Sequence, residues 1–206
     1  YYHLEWSKKV DLDTISIKVA ADEDGVITSY SKYTPEDYKT VSKLPKFSRQ
    51  EAKAKADEYI EVIAPGLLKS LKYDQPVETS IMDPSYYFTY HRVVNGVPFY
   101  NDFVNVVVSS ETGELQEYYR LWTDDLVFPG VKNVISVEEA QKAYAANLGL
   151  RLTYKTSYSD EGIKAYLVYS PKYNNNYYGI DAFTGEKVRL DRDIVIYGAG
   201  TANAKE

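Results

Sequence analysis

Hydrophobic and polar residues alternate along much of this chain. Ile15, Ile17 and Val19 are separated by Ser16 and Lys18, the period-two pattern of a strand with one buried face. The pattern predicts strands within residues 1–33, over Glu78–Met82 and Tyr86–Val94, and on both sides of a turn within Val104–Trp122. Further strands are expected over 151–158, 163–170 and 194–197. Two stretches switch to helical spacing. Ser48-Arg49-Gln50-Glu51 is a capping box, followed by Ala52, Ala56, Tyr59, Ile60 and Ile63 on one face and stopped by Pro65-Gly66. Ser136-Val137-Glu138-Glu139 opens a second helix with Val137, Ala140, Tyr144 and Leu148 on its apolar face, ended at Gly149. Leu67–Lys72 fits either a helical turn or a strand. Thr34–Lys46, with Pro35 and Pro45, reads as a linker or crossing loop.

Glycine marks the reversals. Gly25, Gly113 and Gly185 each lie between two strand-like runs, where a short loop needs positive φ. Asn95-Gly96 is a type I′ hairpin signal, and Pro98 just beyond it, lacking a ladder donor, is expected at a sheet edge. These features repeat. Gly25 and Gly113 stand 88 residues apart (113 − 25), and the capping residues Ser48 and Ser136 share the offset (136 − 48). The repeated unit is a helix, then antiparallel strands, then a terminal glycine hairpin. On that basis residues 1–45 are the closing hairpin of a preceding unit plus a linker, 46–130 a complete unit, and 131–206 a second, shorter unit with a tail. The fold class expected is α+β.

These units resemble PepSY-like domains, and their order and spacing are most similar to the YcdB/YcdC-type repeats of Gram-positive secreted and cell-surface proteins. The likeness is carried by Ser48-x-x-Glu51-Ala52, by Val94-Asn95-Gly96-Val97-Pro98, and by Val106-Val107-Val108 with Thr112-Gly113-Glu114-Leu115. A second copy is Ser136-x-x-Glu139-Ala140 with Ile180-Asp181-Ala182-x-Thr184-Gly185-Glu186, which lacks the Asn-Gly-x-Pro segment. The resemblance implies tandem cystatin-like units, each with one helix on an antiparallel sheet. It implies a non-enzymatic interaction module that binds or inhibits a protease or another secreted protein. The competing expectation is a structural spacer or wall-associated repeat, and an accessory domain of a hydrolase ranks third. The family carries no catalytic residues to transfer.

Composition narrows the functional classes. The chain of 206 residues is 44% hydrophobic and 26% charged, the balance of a globular protein. A net charge of −6 offers no basic face for nucleic acid and no electrostatic reason to bind an anionic membrane. No apolar run is long enough to span a bilayer, so no membrane insertion is expected of these residues. The absence of cysteine removes disulfides and thiolate metal sites, and is compatible with an exported Gram-positive protein. Together with the missing initiator methionine and leader, the chain reads as a piece of a larger exported protein, extracellular or at the cell surface.

Tyrosine is in excess, 22 against 2 Trp and 6 Phe. Most are explained by cross-strand packing. Tyr86, Tyr87, Tyr173, Tyr177 and Tyr178 are the candidate binding residues, because exposed tyrosine offers apolar contact and a hydrogen bond together. The loop Tyr173-Asn174-Asn175-Asn176-Tyr177 ranks first among them. Catalytic and metal sites are not expected. His3 and His91 are 88 apart (91 − 3) but lack a third ligand, and Asp22-Glu23-Asp24-Gly25 lacks the acceptor order of a calcium loop. Asp124, Asp125, Asp181, Asp191 and Asp193 read as loop charges, and Ser109 and Ser110 stand outside any nucleophile elbow. No cofactor is implied.

Overall fold

The structure, a computed structural model, describes residues 1–11, 13–35, 45–74, 83–159, 162–173 and 177–190. The expected strands at Glu78–Met82 and 194–197, residues 36–44 of the linker, Asn174–Asn176, Asp191 and Asp193 lie outside the described residues. The chain divides into two compact units, residues 1–130 and 131–206.

The first unit holds β1 (Tyr2–Val10), β2 (Asp13–Ala21), β3 (Ile27–Tyr33), α1 (Arg49–Ile63), β4 (Leu71–Tyr73), β5 (Ser85–Val94), β6 (Val97–Ser109) and β7 (Leu115–Leu121). All seven strands form one antiparallel sheet in the order β1-β2-β3-β7-β6-β5-β4. The ambiguous Leu67–Lys72 resolves as both alternatives, a 3-10 turn over Leu67–Ser70 running straight into β4.

Alternation decides which face is covered. Tyr86, Phe88 and Tyr90 of β5, Val104, Val106 and Val108 of β6, and Leu115 and Tyr118 of β7 form a buried cluster with Ala52, Ala56 and Ile60 of α1. The two alanines let the helix backbone lie close to the sheet, and Tyr59 and Ile63 pack at the margin. The helix begins as its sequence dictates. The Ser48 hydroxyl accepts from the Glu51 amide at 3.3 Å, and the Glu51 carboxylate accepts from the Ser48 amide at 2.8 Å. That backbone bond, with a second from the Ser48 hydroxyl, holds the Glu51 carboxyl below its usual range.

Asn95 and Gly96 both adopt positive φ (53° and 79°), the type I′ geometry their dipeptide signals. Pro98 differs from expectation, because β6 is an interior strand. Pro98 pairs with Val93 beside the turn, and the β6–β7 ladder starts only at Phe103, so that ladder asks no donor of Pro98. The chain after β7 passes this end instead: Phe128 stacks edge-on against Phe99 at 5.1 Å, and the Asn95 side chain donates to the Pro129 carbonyl at 3.4 Å.

The second unit holds α2 (Val137–Asn147), β8 (Leu150–Ser159), β9 (Gly162–Pro171), β10 (Tyr178–Ile180) and β11 (Lys187–Arg189). β8 and β9 form one antiparallel hairpin, β10 and β11 another. Its helix has the same capping box and docks on the same kind of turn. Tyr59 of α1 donates to the Gly113 carbonyl at 3.0 Å, and Asn147 of α2 donates to the Gly185 carbonyl at 3.0 Å. The architecture is thus α+β, with a large antiparallel sheet and two helices. Among the described residues no helix is long and apolar enough to cross a membrane.

Candidate functional site

The face of β5, β6 and β7 turned away from α1, free of helices among the described residues, carries the exposed candidate Tyr87. Period-two geometry puts Tyr87, Thr89 and His91 of β5 there, one position out of phase with the buried Tyr86, Phe88 and Tyr90. Strand pairing extends the face in rows: Thr89, Asn105, Tyr119 and Ser29 align across four strands, and His91 aligns with Phe103 and Leu121. The Thr89 hydroxyl donates to the Asn105 side-chain oxygen at 2.8 Å, which fixes the amide. The His91 ring meets Tyr100 edge-on at 4.8 Å and Phe103 at 6.4 Å, and Phe103 continues to Tyr119 at 5.9 Å. Nε2 of His91 lies 3.5 Å from the Asp74 carboxylate, at the sheet's β4 end. Tyr87, Tyr100 and Tyr119 are exposed around this half-buried centre. The arrangement is apolar in body and hydrogen-bonding at its rims.

The expected residues divide sharply. Tyr86 is buried on the opposite face, and its hydroxyl donates to the Phe47 carbonyl at 3.0 Å, so it packs α1 and is not offered to a partner. Tyr87, its neighbour, is exposed. Tyr173 and Tyr178 lie together in the second unit, 5.3 Å apart, with the Lys187 ammonium 4.8 Å from the Tyr173 ring and 5.5 Å from the Tyr178 ring. Tyr177 is exposed beside them. Strand pairing brings none of Tyr173, Tyr177 and Tyr178 to the face that carries Tyr87.

Four of the acidic and hydroxyl candidates, Asp22, Asp181, Ser109 and Ser110, are taken up by backbone hydrogen bonds at turns. Asp22 accepts from the amides of Asp24 and Val26, and Asp181 from those of Phe183 and Thr184, which holds the Asp181 carboxyl low. Ser109 is buried and accepts from the amides of Glu111 and Thr112, while Ser110 donates to the Asp83 carbonyl. Gly25, Gly113 and Gly185 all take positive φ, at 80°, 69° and 74°. Among the described residues no three His, Cys, Asp or Glu side chains converge as a metal site.

Sequence reasoning missed Asp102. Fully buried, it accepts from Arg92 at 2.8 Å and from the amide and hydroxyl of Thr123 at 3.1 and 2.9 Å. Arg92 is itself stacked on Trp122 and Phe128. A lone polar residue in a strand was the available signal, and it does not tell a buried ion pair from a solvated one.

Residues 1–122 match the family model described as the YcdB, YcdC repeated domain. The chain is also similar to the solved C-terminal domain of Bacillus megaterium YpeB, with 18% identity over 92% of this chain and 90% of that one and a TM-score of 0.43. No curated protein matches it.

Proposed function

We propose that this chain, which belongs to the YcdB/YcdC repeated-domain family, is a non-enzymatic, PepSY-like module that binds a protein partner outside the cell or at its surface. The observation that carries this is the helix-free face, where exposed Tyr87, Tyr100 and Tyr119 surround His91 and Phe103 on a rigid sheet. Tyrosines on such a platform give large contact area at little entropic cost, the usual make-up of a binding hot spot. A secreted protease or cell-envelope protein is the partner class, and restraint of a protease is the activity such binding would produce. Strand addition near Pro98 is not the binding mode proposed, because β6 is an interior strand and Phe128 and Pro129 already pack there. The test is binding against purified secreted proteases and envelope proteins, with the Tyr87→Ala/Tyr119→Ala variant beside the parent. Saturable micromolar binding that the double variant weakens by about tenfold or more supports the reading. Binding to none of them, or binding indifferent to the double variant, refutes it.

A second reading, a spacer built of tandem units with one helix each, is favoured by the recurring helix-to-turn bond at Gly113 and Gly185. In that reading residues 1–45 close a preceding unit, and 46–130 and 131–206 are the successive repeats.

A further inference from the structure

The face that α1 covers continues beyond α1. In the covered half, Tyr86, Phe88 and Tyr90 of β5 lie opposite Val108, Val106 and Val104 of β6. Val106 and Val108 in turn lie opposite Tyr118 and Leu115 of β7. In the other half, Tyr2, Leu4 and Trp6 of β1 lie opposite Ala21, Val19 and Ile17 of β2. Val19 and Ala21 then lie opposite Tyr30 and Ile27 of β3. The two ladders even slip at the same step, Val107/Val108 in one and Ala20/Ala21 in the other. Tyr2-x-Leu4-x-Trp6 therefore occupies the place of Tyr86-x-Phe88-x-Tyr90. Pairing of Tyr30 with Tyr118 joins the halves into one surface, and Ile27 and Tyr30 already pack against the α1 core.

Coverage is what separates them. Phe88 and Tyr90 are sealed beneath Ala52, Ala56 and Ile60, whereas Tyr2, Leu4 and Trp6 are 60%, 52% and 54% exposed. An apolar surface of this extent, continuous with a helix-packed core, is a docking surface. We propose that it receives a second helix of the α1 kind, with alanines at i and i+4 and an aliphatic residue at i+8. A short extended segment follows this helix and pairs with the outer edge of β1, as β4 pairs with β5. The occupant enters from the N-terminal side of β1, because α1 and α2 each precede the strands they pack on. This proposal uses the face opposite Tyr87 and Tyr119 and stands independently of the partner-binding reading.

The test appends a copy of residues 46–84 directly before Tyr1 of the full chain, the spacing at which Tyr2 takes the place of Tyr86. A Trp122→Phe background leaves Trp6 as the fluorophore. The expected result is a blue shift of Trp6 emission, weaker acrylamide quenching, slower amide exchange in β1 and β2, and a Tm raised by about 5 °C or more. Ala52→Glu and Ala56→Glu confined to the added copy abolish all four effects while leaving the original α1 intact. Leu4→Lys with Val19→Glu in the recipient face does the same. A Trp6 as exposed in the extended protein as in the parent overturns the proposal. So does a concentration-dependent dimer of the parent chain that buries Trp6, which makes a second copy the occupant.

Discussion

Replacing Asp102 with alanine is expected to destabilise the first unit by about 2–4 kcal/mol. Removing one partner of a fully buried ion pair costs about 3–5 kcal/mol, because the other charge is left without compensation. Here two features lower that figure. Arg92 retains a bond to the Thr123 carbonyl at 2.9 Å and its stacking on Trp122 and Phe128, at 4.6 and 5.0 Å. Its side chain also keeps some solvent contact, so water replaces part of what the carboxylate supplied. Thr123 loses its acceptor as well, but it is an exposed residue, so water takes the carboxylate's place there and the unpaired-donor cost of about 1–3 kcal/mol is largely avoided. Urea unfolding followed by tryptophan fluorescence is the assay. Both tryptophans, Trp6 and Trp122, lie within residues 1–130, so the transition reports that unit alone. Asp102→Asn, which keeps the Oδ1 acceptor for Thr123 but turns a donor toward Arg92, loses less than the alanine variant. A double-mutant cycle with Arg92→Ala returns a coupling of about 1 kcal/mol or more. An Asp102→Ala variant within about 0.5 kcal/mol of the parent would refute the reasoning, as would a loss that vanishes at high salt in the manner of a surface pair.

Gly25→Ala and Gly113→Ala impose the same left-handed backbone cost, about 1–2 kcal/mol. Only at Gly113 does the new methyl meet Lys55 at 2.8 Å and Phe47 at 3.0 Å, so urea midpoints should place Gly113→Ala about 0.5–1 kcal/mol lower, and equal midpoints mean the turn is not clamped on α1. Burial raises the phenols of Tyr90, Tyr118 and Tyr30 above 10, and for Tyr90 the bond to Asp57 adds to this. An acid raised on folding stabilises fully below its unfolded pKa, so stability should fall as pH climbs past 10, and a Tyr118→Phe variant that keeps the same alkaline slope in denaturation curves counts against this. The carboxyls of Glu51, Glu139 and Asp181 are held low by backbone amides, a contribution present above the usual carboxylate pKa and lost as pH falls through the folded values. Glu51→Gln should therefore flatten the acid limb of the stability profile for the first unit; an unchanged limb means the capping carboxylate carries none of it.

Much of the fold was legible because it is locally encoded. Both capping boxes form as their Ser-x-x-Glu spacing requires, and α1 buries Ala52, Ala56 and Ile60, three positions of its periodic stripe. Asn95-Gly96 and the three turn glycines adopt the positive φ their types demand. The surface was less legible. Tyr86 and Tyr87 are chemically identical neighbours, and only the pairing register puts one under the helix and the other on the open face. Pro98 obeys the rule that proline avoids a donor's place, yet its strand lies inside the sheet, since the ladder on that side stops short of it. Asp102 became a buried ion-pair partner because β5 and the chain after β7 converge on it from elsewhere in the sequence.

Sequence alone determined the elements, their ends, their turns and the recurrence of helix and glycine hairpin, because each depends on backbone preferences within a few residues. Tertiary structure decided which face of each strand is covered. One pairing, β3 with β7, made β1–β3 part of the same sheet as β4–β7 and left Tyr2, Leu4 and Trp6 exposed on the face that α1 covers further along. Long-range register sets that outcome, and a period-two pattern reads the same whichever side the helix takes.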